Sequence, residues 1–122
     1  MQIQVNTDHN IEGREALAVH VTDVVKSTLS RVSGYITRVE VHLGDEVGQK
    51  NAKDDKRCVM EARLEGRQPL AVTHHADTLH QAVDGAAHKL IRVIESDIGR
   101  LHDQKARATD PSLLDAAALP DA

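Results

Sequence analysis

Between Ala76 and Leu101, the apolar residues Leu79, Val83, Ala86, Ala87, Leu90, Ile94, Ile98 and Leu101 recur at intervals of three and four. That is one stripe along an amphipathic helix. Asp77 stands just ahead of it, where a carboxylate can accept from the first free backbone N–H groups. Gly85, mid-stripe, weakens this helix by about 1 kcal/mol relative to alanine. A second stripe, Leu17, Val21, Val24, Val25, Thr28, Leu29 and Val32, predicts an earlier helix. Gly34 is its expected stop, since glycine turns left-handed without steric cost. Elsewhere the period falls to two, the mark of half-buried strands. Such alternation covers Gln2 to Asn6, Thr37 to Leu43, Arg57 to Leu64 and Leu70 to His74.

The expected order is strand, helix, three strands, helix. One apolar face per strand and one stripe per helix call for an α+β two-layer sandwich, a four-stranded mixed sheet with both helices on one face. Asp8 and Asn10 mark a turn, Gly44 to Asp55 a polar loop, and Gly66 a tight hairpin connection. Residues 1–102 read as one domain. Residues 103–122, small and polar with Pro111 and Pro120, are expected to form a disordered tail.

Composition narrows this further. One Tyr and no Phe or Trp leave an aliphatic core and no platform for stacking bases. The single Cys58 cannot form an internal disulfide, and no apolar run approaches the roughly 20 residues that span a bilayer. The opening MQIQVNTDHN lacks the regions of a signal peptide, so a cytoplasmic location without membrane contact is expected. The formal net charge is −4, half of it after His102, so a nucleic-acid partner would need a local cluster of cations.

Candidate chemistry is sparse. There is no phosphate-binding glycine loop, nucleophile elbow or zinc-finger spacing, and Cys58 lies on the apolar side of its strand. No paired acid and base stands out, so neither an enzyme, a cofactor nor a small-molecule substrate is expected. His80, Asp84 and His88 lie four apart on one helical face and offer a metal site as an alternative. The preferred reading of that face is an ordinary solvated one. Lys26 and Arg31 on the first helix, and Lys89, Arg92 and Arg100 on the second, would share one outer surface if the helices lie side by side. Such cations serve phosphates, arginine in bidentate fashion.

Three stretches carry a resemblance: MQIQVNTDHNIEGREAL, LSRVSGYITRVEVHL and ADTLHQAVDGAAHKLIR. In order and spacing they are similar to the ribosome hibernation-promoting and ribosome-associated inhibitor family, also described as sigma-54 modulation proteins. The resemblance covers about Met1 to Leu101. It implies a non-catalytic factor that binds the small ribosomal subunit through ribosomal RNA and inhibits translation in stress or stationary phase. Carried over by position, it implies that Arg31, Lys89 and Arg92 meet ribosomal RNA phosphates, with Lys26 a looser candidate. Gly34 and Ser96 stand where the family often has a basic residue, and His80 where it often has tyrosine. Those departures motivate a second expectation, a stress-linked protein-interaction module of weak RNA affinity.

Overall fold

The apolar alternation of the strands resolves, in a computed structural model, into one sheet. The structure describes residues 1–8, 11, 13–45 and 55–109. The elements are β1 (Gln2–Thr7), α1 (Arg14–Thr28), a 3₁₀ helix (Ser30–Tyr35), β2 (Ile36–Asp45), β3 (Lys56–Leu64), β4 (Leu70–Ala76) and α2 (Leu79–Thr109). The sheet order is β1-β2-β3-β4. β1 runs parallel to β2, with Ile3 opposite Val39 and Val5 opposite Val41. The other pairs are antiparallel, with Val41 opposite Met60 and Cys58 opposite His74. A four-stranded mixed sheet with two helices on one face is therefore what the pattern predicted.

The period-two residues explain why. Val39, Val41 and Leu43 of β2 and Cys58, Met60, Ala62 and Leu64 of β3 are buried. They meet Val21, Val25 and Leu29 from the first helical stretch, and Ala82, Val83, Ala86, Ala87, Leu90 and Ile94 from α2. Each large aliphatic chain so buried contributes about 1.5–3 kcal/mol. Arg38, Glu40, His42, Glu61 and Arg63, on the alternate positions, form the opposite, open face.

Three expectations are corrected. α2 is capped by Thr78 in place of Asp77: the Gln81 N–H donates to the Thr78 Oγ1 at 3.1 Å. The first helix ends at Thr28, with Leu29 at its C-cap, and Val32 and Arg31 belong to the 3₁₀ helix. Gly34 lies within that segment without a positive φ, so it is no left-handed stop. Among the described residues the left-handed glycines are Gly13, at the start of α1, and Gly66, in the hairpin. α2 extends to Thr109. Residues 110–122 and 46–54, where the tail and most of the loop were expected, lie outside the described residues, as do His9 and Asn10 of the first turn.

Gly85 changes meaning in three dimensions. A Cβ there would stand 2.1 Å from His74 Cδ2 and 2.2 Å from its Nε2. The glycine lets α2 lie directly on the imidazole, and His74 Nδ1 is buried there without a hydrogen-bond partner. A second anchor holds the β3–β4 hairpin to α2. Arg67 donates from Nε to Asp97 Oδ2 at 2.6 Å and from Nη2 to Oδ1 at 3.0 Å. The Asp97 side chain is only 10% exposed. Hydrogen bonding from Arg67, which outweighs the opposing effect of desolvation, holds its carboxyl below the ordinary range.

Two outcomes follow. Helix propensity alone says that Gly85→Ala stabilises by about 1 kcal/mol. We expect instead a net loss of roughly 1–3 kcal/mol from overpacking, measured by urea unfolding. His74→Ala in the same chain should return much of it; a stabilised single variant would refute the contact. For Asp97, the depressed carboxyl contributes stability above its unfolded pKa of about 4, lost as pH falls through the lower folded value. The melting-temperature gap between wild type and Arg67→Met should therefore be constant from neutral pH to about pH 5 and shrink below about pH 4. A gap that persists undiminished in acid would contradict it.

Candidate nucleic-acid interface

A phosphate-binding surface needs cations that are exposed, close together and not already neutralised. Net charge does not choose between the two faces of this domain. Residues 14–35 and 79–100 carry six cations against five carboxylates, and the open face of the strands carries three, Arg38, Arg57 and Arg63, against two, Glu40 and Glu61. Each comes to +1. Pairing separates them.

On the open face of the sheet, Glu40 draws in its neighbours. Arg38 Nε and Arg63 Nη2 each lie 3.7 Å from its Oε2, and His42 Nε2 lies 3.9 Å from its Oε1. Arg63 Nε also stands 3.6 Å from Glu61, and Arg38 donates to the Gln4 side chain. At the start of β3, on the side of the sheet that Leu43 and Cys58 share, Lys56 bridges Asp55 at 3.0 Å and Asp45 at 3.2 Å, which raises its pKa. Arg57 lies over Gly44, where an added Cβ would meet both its guanidinium and the Asp8 carboxylate. The sheet cations are thus engaged with acceptors on their own face.

The helical layer differs. Lys26 and Arg92 are exposed and form no ion pair or hydrogen bond among the described residues. The same holds for Arg14, in the first turn of α1, which sequence periodicity did not single out. Lys89 donates from Nζ to the Thr73 carbonyl of β4 at 3.0 Å, a neutral partner that leaves its charge uncompensated. Arg31 and Arg100 are less available. Arg31, although 72% exposed, pairs with Glu95 across the seam at 2.8 Å. Arg100 leans on Ser96 at 3.1 Å and Asp97 at 3.3 Å. Glu15 and Asp23 share the α1 surface with Arg14 and Lys26. The least compensated pair is therefore Lys89 and Arg92, one turn apart on α2. Arg31 joins them only through Glu95.

The histidine face does not close around a metal. His80 turns towards α1, its ring 4.2 Å from that of His20 and perpendicular to it. Asp84 Oδ1 lies 3.5 Å from His20 Nε2, and His88 Nδ1 sits 2.9 Å from the backbone oxygen of Asp84. The three side chains thus part company: His80 and Asp84 both turn to His20 across the seam, whereas His88 turns back to its own helix. Among the described residues, no three His, Cys, Asp or Glu side chains are placed to hold a metal ion. His20 was not legible as a partner because it comes from the other helix.

Other chemistry is weak. The Cys58 thiol is fully buried, and desolvation pushes its pKa up to about 12, so it is no nucleophile at neutral pH. A recess of about 550 Å³ is lined by Gly66, Arg67, Gln68, Leu70 and Asp97, but its charges satisfy each other. No described helix is long and apolar enough to cross a membrane.

Comparison with known proteins bears on the family and the fold. A model of the family described as sigma 54 modulation protein / S30EA ribosomal protein matches residues 3–102. No curated protein matches the chain. A solved ribosomal subunit interface protein from Coxiella burnetii is similar in fold, with a TM-score of 0.59 and 16% identity. That match covers 81% of this chain and 99% of the other. The N-terminal domain of Protein Y from Thermus thermophilus gives a TM-score of 0.56 at 22% identity, over 79% of this chain and 98% of that one. At such identities these structures speak for the fold alone.

Proposed function

The chain belongs to the sigma 54 modulation protein / S30EA ribosomal protein family, and on that premise we propose that it is a non-catalytic factor that binds the small ribosomal subunit. It makes this contact with ribosomal RNA through the helical layer and inhibits translation in stress or stationary phase. The single observation that carries the choice of face is the contrast in pairing. The sheet cations are held by Glu40, Glu61, Asp45 and Asp55, whereas Lys89 and Arg92 meet no carboxylate.

The mechanism is occupancy. Phosphate contacts fix the orientation of a rigid domain without reading sequence, and its bulk keeps messenger and transfer RNA from the same space. No bond is made or broken. The described residues supply neither an activated thiol nor a metal centre, and the mechanism calls on neither. Lys26 and Arg14 extend the cationic surface along α1, and Arg31 and Arg100 supply charge only by giving up Glu95 or Asp97.

The test is cosedimentation with purified small subunits across a salt series. The double substitution Lys89→Ala and Arg92→Ala should weaken binding and flatten the logarithmic salt slope by roughly one unit per lost contact. Arg38→Ala with Arg63→Ala, on the sheet, should leave the slope near that of the wild type. Equal losses from the two pairs would mean a diffuse charge effect. No binding even at low salt would overturn the proposal, and a protein partner retained after nuclease treatment would favour an interaction module.

A further inference from the structure

Besides its lysines and arginines, the helical layer over residues 14–35 and 79–100 carries three imidazoles, a feature the ribosome reading does not use. His20 comes from α1, and His80 and His88 from α2. Resting on that reading of the site, we propose that the layer is a proton-gated anion surface, with the His20–Asp84–His80 seam as its gate. Acidification through the histidine range strengthens its hold on RNA phosphates.

The charges around the seam set the sign. With neutral imidazoles the layer stands at +1, and Asp84, 54% exposed at the middle of the face, repels an approaching phosphate. Imidazole is the side chain whose charge ordinarily changes between about pH 5 and pH 8. His20 Nε2 is buried, unpartnered, and 3.5 Å from the Asp84 carboxylate, so a proton there pairs with Asp84 and cancels its field. His80 stands edge-on to His20 at 4.2 Å and is itself exposed, so its proton adds cationic charge at the surface.

The neighbouring groups reinforce this sign. Asp23 follows His20 by one turn of α1, and Asp77 stands just ahead of α2, three residues before His80 in the chain. His88 lies between Asp84 and Arg92 on the outer face of α2, beside Lys89. From the sheet side, His74 packs beneath Gly85, and a recess lined by Gly13, Ala16, Leu17 and Leu79 adjoins His80. Protonation of all three imidazoles takes residues 14–35 and 79–100 from +1 to +4. The open face of the sheet carries two imidazoles, His42 and His75, against three on the helices, and so gains less charge in acid.

The experiment compares binding at about pH 6 and about pH 7.5, at matched ionic strength, for the wild type and three variants. Purified small subunits are the first probe and a heparin column is the second, a polyanion that needs no ribosome. The wild type should bind subunits about three- to tenfold tighter at the lower pH and elute from heparin at higher salt. His20→Gln with His80→Gln should lose most of that response. Asp84→Asn, at an exposed position that tolerates the change, should bind tighter at neutral pH and respond less. His80→Lys should bind tightly at both pH values and so respond less to the change. A wild-type response retained in full by the double variant overturns the gate, as does heparin retention that ignores pH. Failure to bind subunits at either pH overturns the functional reading instead, and heparin then decides the gate separately.

Discussion

The close seating of α2 on the sheet is the constraint on which the rest depends. A chain with no Phe or Trp cannot fill a thick interior, so helix and sheet must approach closely for aliphatic side chains to reach each other. Ala82, Gly85, Ala86 and Ala87 keep the underside of α2 low, while Leu90 and Ile94 reach the strands further along. Dispersion is lost quickly with small gaps, so even one added methyl at Gly85 presses on His74. The Arg67–Asp97 pair fixes the other end of the same interface. Between these anchors α2 is held in one rotation about its axis, which decides the side chains it shows to solvent.

That rotation sorts the charges. One flank of α2 turns to α1, where Asp84 meets His20 and Glu95 meets Arg31. The other flank leans over β4, where Lys89 reaches the Thr73 carbonyl. Arg92 lies between the two and stays uncommitted among the described residues. The open face of the sheet has the same net charge yet spends it internally, because cross-strand neighbours such as Arg63 and Glu40 fall within reach of each other. A surface exposed ion pair is worth little to stability, but it removes a cation from the pool that phosphates can recruit.

Periodicity carried the fold well because it reports the burial of whole faces. Every strand and both helices were legible, and the β2 and β3 registers place Val39, Val41, Cys58 and Met60 inwards as their alternation requires. What it missed depends on contacts between distant segments. Thr78 displaced Asp77 as the cap through a local choice of backbone geometry that residue type alone leaves open. Gly85 looked like a helix defect because its reason lies on β4. For the site, sequence found the cations but not their partners. Arg31 and Arg100 looked equal to Arg92, and only the fold shows that Glu95 and Asp97 engage them. The histidine spacing suggested one shared ligand face, whereas His20, from another helix, makes it a seam.

The central claim is that the helical layer, and not the sheet, meets the ribosome. Histidines on both faces make this directly measurable by hydroxyl-radical footprinting with mass spectrometry, with and without small subunits at low salt. His80 and His88 lie exposed on the helices, while His42 and His75 lie exposed on the open face of the sheet. The account predicts that subunits shield His80 and His88 and leave His42 and His75 as reactive as in the free protein. Shielding of His42 and His75 with the helical pair untouched would contradict it.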